Sequence, residues 1–126
     1  MNDLITHRAF LGEGEHDFCL TDAMITELEH QTGLGIGALQ MQMMQLQFKA
    51  DHLALIIRLG LIGAAMNPEN AHRLVEAYVR NRPLGEVFPL ALDILDARWN
   101  GKAETPDDIA RNAEDDYARF VAEVAA

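Results

Sequence analysis

Five histidines, one cysteine and a run of methionines are the side chains here with chemistry to offer. His7, His16, His30, His52 and His72 are scattered, and no two stand in the H-x-x-x-H spacing that puts two imidazoles on one helix face. Glu27 and His30 have the three-residue spacing of carboxylate-bridged metal sites, but such a site needs a second matching pair and the chain has none. Cys19 lies between Phe18 and Leu20 in an acidic neighbourhood, which disfavours the thiolate a nucleophile requires, so a half-buried structural thiol is expected. With no serine in the chain, a G-x-S-x-G nucleophile elbow is excluded. Gly33 to Ala38, GLGIGA, fits the dinucleotide pattern G-x-G-x-x-[GA] in form only. That motif works between a strand and a helix, whereas an amphipathic helix precedes it here, so it reads as a helix-to-helix turn. No catalytic, cofactor-binding or metal site is expected.

Met41, Met43 and Met44 are a different matter, set among Gln40, Gln42, Gln45 and Gln47. Methionine is flexible and polarizable, and surfaces that accept several apolar partners use it heavily. Core packing is the plainer use of these side chains; a groove for a partner helix is the alternative. In the second case Ile36, Leu39, Met43 and Met44 are the candidate partner-binding residues.

The elements that would position these residues follow from pattern. Residues 7–11 and 16–20 flank a Gly-Glu-Gly-Glu turn and read as a β-hairpin. A lone hairpin is marginal in water, so it must pack on helices or pair with a strand of another chain. Thr21 caps a helix that Gly33 stops, and a second helix is expected over residues 34–48. Residues 51–65 are apolar nearly all round, interrupted by the charge of Arg58, and read as a central core helix with Asp51 as cap or first-turn acid. Gly60 and Gly63 in it allow a neighbouring helix to come close. Asn67-Pro68 starts the next helix. Another follows Pro83, with an apolar stripe from Leu84 to Trp99 and a kink or short first turn expected at Pro89. Thr105-Pro106-Asp107-Asp108 opens a last, acidic helix. The expected fold is mainly α with an N-terminal β-hairpin, five to six helices around a central apolar one. A core domain of residues 1–103 is followed by an acidic appendage, residues 104–126.

Composition narrows the function classes. Nearly half of the 126 residues are apolar, enough for one domain with a genuine core. A formal net charge of −10 gains nothing from the counterion release that drives nucleic-acid binding, so DNA and RNA are not expected partners. No stretch reaches the roughly 20 apolar residues of a membrane span. The N-terminus lacks a signal-peptide pattern, and one cysteine fits a reducing cytoplasm. The acids crowd into both ends, seven up to Gly33 and seven from Glu104 onward. The simplest reading is solvated faces.

Taken in order, several of these segments resemble a known family. They are the hairpin with its Gly-Glu turn and Leu20, Glu27-Leu28-Glu29, and Thr32-Gly33-Leu34-Gly35-Ile36. After them come Ile56-Ile57-Arg58-Leu59-Gly60-Leu61-Ile62-Gly63, then Ala71, Leu74-Val75, Pro83-Leu84 and Ala91-Leu92-Asp93-Ile94-Leu95. The family is the small protein of gene transfer agents and related long-tailed phages, assigned to the tail-assembly-chaperone group and often labelled a tail tube protein. The likeness runs from His7 to about Gly101. The chain departs from it at Ala64-Ala65, where further glycines are common, and in the acidic C-terminal helix.

The resemblance implies a role in tail morphogenesis without catalysis or cofactor. Its implied partners are the tape-measure protein and other tail proteins, with a homo-oligomer as a further possibility. The place of action is the bacterial host cytoplasm, or the particle itself. Against the chaperone stands a structural tail component retained in the particle. Tail tubes are built from sheets joined between subunits, and few residues here read as strand. A small enzyme using His16, Cys19 or Glu27, and a generic helical adaptor, are the remaining alternatives.

Overall fold

The computed structural model describes residues 3–101 and Val121. A short 3-10 turn at Asp3–Ile5 leads into β1 (Thr6–Leu11) and β2 (Gly14–Cys19). Five helices follow among the described residues: α1 (Asp22–Thr32), α2 (Ile36–Met44), α3 (Ala50–Gly63), α4 (Pro68–Tyr78) and α5 (Leu84–Asn100). The fold is mainly helical with an N-terminal antiparallel hairpin, as the sequence predicts. The acidic helix expected after Thr105 lies outside the described residues, Val121 apart.

The α3 helix is the post of the structure. Leu53, Ile56, Ile57, Leu59 and Leu61 are all nearly inaccessible, and they point in several directions around the axis. Four elements cover them: β2, α5, α4 and α1. Each such side chain contributes about 1.5–3 kcal/mol when fully buried. Asp51 is a first-turn acid and not the cap; Lys49 holds the cap position without a side-chain bond.

The glycines of α3 admit a strand, where the sequence suggested a helix. A Cβ on Gly63 would lie 1.8 Å from the carbonyl oxygen of Cys19, and one on Gly60 would lie 3.3 Å from the Cβ of Phe18. The hairpin is thereby laid on the helix, with Phe18 and Leu20 inaccessible beneath it. The turn itself is two residues, Gly12-Glu13, tighter than the four read from sequence. Gly12 has φ +66°, which suits the first central position of a type II′ hairpin. The Tyr78 ring occupies the space a Cβ there would need, and the Tyr78 hydroxyl donates to Glu13 Oε1 at 3.2 Å.

Helix ends follow their local chemistry. Thr21 Oγ1 accepts the Met24 N–H, and Asn67 Oδ1 accepts the Glu69 N–H at 2.8 Å ahead of Pro68. Gly33 closes α1 in the left-handed region at φ +73°. The second helix is shorter than residues 34–48 because Gly35 caps it and Leu46 turns left-handed at φ +56°. The freed segment brings Phe48 onto Phe88 of α5, ring centroids 5.2 Å apart. Pro89 lies inside α5, which stays one helix from Leu84 to Asn100. Trp99 does not join its buried stripe. It is 58% exposed.

Two substitutions test this packing by urea unfolding. Gly63→Ala is expected to destabilise by about 1–3 kcal/mol, since the backbone of Cys19 must move. Ala65 sits at φ +76°. Ala65→Gly is expected to stabilise by up to about 1–2 kcal/mol, the left-handed penalty it relieves. Neutral effects at both positions would contradict the account.

Candidate interaction surface

Among the described residues the histidines and Cys19 do not gather at one place in the fold. Among the described residues no group of three or more His, Cys, Asp or Glu side chains is placed to hold a metal ion. His7 stands 3.8 Å from Asp93, and Glu27 accepts from Gln31 at 2.6 Å along α1. Cys19 is fully buried, deeper than the half-buried thiol expected, under the close contact with Gly63. The glycines of the GLGIGA stretch form the turn between α1 and α2. Glu29 Oε2 accepts the Ile36 N–H there at 2.8 Å, so a carboxylate of the chain itself occupies the N-terminus of α2. Thr32 tightens the same turn, donating to the Leu28 carbonyl and accepting the Leu34 N–H.

The four partner-binding candidates do not line one groove. Leu39 and Met43, one turn apart, are each 1% exposed and belong to the core. Ile36 is half-buried against that core. Met44, one position farther round the helix, is 68% exposed. It has company: Met41, three residues back on the same face, and Leu46 in the following turn are 56% and 70% exposed. Residues 34–48 carry no charge at all in a chain of net charge −10. The result is an uncharged, apolar end of α2, bordered by glutamines. Met41 belongs to the methionine run in the sequence; the left-handed backbone of Leu46 left no signal to read.

Two buried polar features were also missed. Gln40 is buried and donates through Nε2 to Asp96 Oδ1 at 2.9 Å, tying α2 to α5, while its Oε1 has no partner among the described residues. His52, in the first turn of α3, is 8% exposed, with a buried Nδ1 that has no partner among the described residues. Burial, reinforced by the positive charge of Lys49 and opposed by Asp51, holds its pKa below the ordinary 6.5.

The chain belongs to a family of phage tail proteins. The family model described as "Phage tail tube protein, GTA-gp10" matches residues 5–101, the hairpin and all five helices described above. No curated protein and no solved structure shows a significant match. Membership places the protein in a structural or assembly role in the tail of a phage or gene transfer agent, in association with other tail proteins. Among the described residues no helix is long and apolar enough to cross a membrane.

Because the unfolded chain protonates His52 before the folded one, stability is fully present above pH 6.5 and is lost as pH falls through the depressed folded value. His52→Gln is therefore expected to flatten the dependence of unfolding free energy on pH between about 7 and 5. An unchanged slope would refute the burial argument.

Proposed function

We propose that the protein is a tail assembly chaperone: a non-enzymatic binder that covers apolar segments of the tape-measure protein until tube subunits polymerise around it. The uncharged end of α2 carries this reading, because Met41, Met44 and Leu46 are large apolar side chains standing in water on a soluble-type acidic surface. Flexible thioethers adapt to successive apolar partners, which suits a long client. The small sheet supports the same reading. Among the described residues the strands are the two of the hairpin, too little for a tube wall whose sheets run from subunit to subunit. In this reading residues 104–126 are an appendage to the core domain, and self-association is secondary to client binding.

The family's own description favours a second reading, a tail tube component retained in the finished particle. Co-expression with the tape-measure protein of the same particle separates the two. The chaperone reading expects a soluble complex on pull-down, weakened at least about tenfold by Met41→Asp with Met44→Asp. Both positions are exposed, so the thermal melt of the double variant stays close to that of the parent. No complex, with the protein abundant in purified particles, would overturn the chaperone and support the tube component.

A further inference from the structure

The hairpin ends sideways in an open edge. Strand β1 runs six residues without proline or bulge, and such an edge is a template for a further strand unless something blunts it. The two-residue turn closes on Leu11 and Gly14, so His7, Ala9 and Leu11 exchange their hydrogen bonds with β2. The N–H and C=O groups of Arg8 and Phe10 therefore face the other way. Among the described residues they bond to no other element. Nor does the Arg8 side chain cover the edge. Its guanidinium is drawn across the sheet to Asp17 at 2.9 Å and to Glu15 at 3.2 Å.

A groove follows this edge. Leu90, Asp93, Ala97 and Asn100 recur at helical spacing and form one stripe of α5 beside β1. Two successive clefts lie there, one of about 750 Å³ at Thr6, His7 and Arg8 and one of about 350 Å³ at Phe10. The second is largely apolar: Phe10 is 66% exposed, Leu90 is half-buried, and Arg82 and Glu86 pair with each other at 3.5 Å. The first is acidic. Asp3, Asp17, Asp93 and Asp96 line it against Arg8 and His7, and Arg8 is already held by Asp17 and Glu15. Asp3 and Asp93 stand exposed, with the His7 ring 3.8 Å from Asp93.

We propose that a partner polypeptide adds an extended segment to β1 as a third strand, antiparallel, with apolar side chains at Phe10 and basic ones at Asp3 and Asp93. Outward peptide groups at every second residue match another extended backbone, and antiparallel pairing is the more stable direction. A third strand also supplies what a two-stranded sheet lacks. The excess of carboxylates selects a cationic segment. It disfavours a second copy, which would bring the same carboxylates to its own β1 edge. Residues 104–126, with seven acids against Arg111 and Arg119, are as poor a match, and so is nucleic acid. This partner is distinct from the client proposed for α2. None of Met41, Met44 and Leu46 lines either cleft, so the two readings stand or fall separately.

The test is an NMR titration of the full chain with a short peptide, Val in its N-terminal half and Lys in its C-terminal half, acetylated and amidated. Saturable shifts and slowed exchange are expected at the Arg8 and Phe10 amides. The Ala9 amide, already bonded inside the hairpin, should exchange as before. The same peptide with Glu for Lys is expected to bind at least about tenfold more weakly. Methylating the peptide's backbone nitrogens keeps its charge and removes its donors, and should abolish the response. Asp3→Asn with Asp93→Asn should weaken binding of the Lys peptide while the thermal melt stays close to that of the parent, since both positions are exposed. Equal binding of the Glu peptide, or no response at Arg8 and Phe10, would overturn the proposal. So would the same amide shifts on concentrating the protein alone, because a second copy would then be the occupant.

Discussion

The structure depends on one contact: the backbone of β2 lying directly against α3 at Gly63. A helix apolar on nearly every face has to be covered on nearly every face, and four elements share that task. Helices cover α4-, α5- and α1-facing sides by ordinary side-chain packing. The remaining side is closed by a strand, and a strand reaches the helix surface there only because no side chain stands at Gly63. Phe18 and Leu20 are then sealed in the interior, and a two-stranded sheet that would be marginal alone becomes part of the core. At its far end the hairpin is held again, by the Tyr78 ring over Gly12.

The same economy governs the segment between α1 and α2. Glu29 is a residue of one helix that serves as the cap of the next, and Thr32 satisfies both a carbonyl of the first helix and an N–H of the turn. The stretch from Leu28 to Ile36 thus has a mechanical meaning: a rigid corner that fixes where α2 begins. It also fixes which of its methionines enter the core. Met43 goes inward and Met41 and Met44 outward, so one short run serves both packing and surface.

Much of the fold was legible because it rests on local chemistry. Thr21, Gly33, Asn67-Pro68 and Gly101 mark helix ends that cap geometry confirms. The apolar run of residues 51–65 announced the central helix by hydropathy alone. What could not be read depended on tertiary position or unusual backbone. The groove reading put Ile36, Leu39, Met43 and Met44 in one set, although a 100° step separates core from solvent between the last two. Leu46 and Ala65 adopt left-handed geometry that their residue types disfavour. Trp99 carries the spacing of the apolar stripe and yet stands exposed. His52 and Gln40 became buried polar groups only when α4 and α5 closed over them. The family was legible from the order of its segments, since no single segment is distinctive.

The central claim is that the exposed end of α2 is where the client binds. Hydrogen–deuterium exchange of the protein alone and in complex with the tape-measure protein tests it most directly. The account predicts added protection concentrated in residues 41–47, with the hairpin edge of residues 6–11 unchanged. Protection confined to the hairpin edge, with α2 unaltered, would contradict it and point instead to strand pairing between subunits.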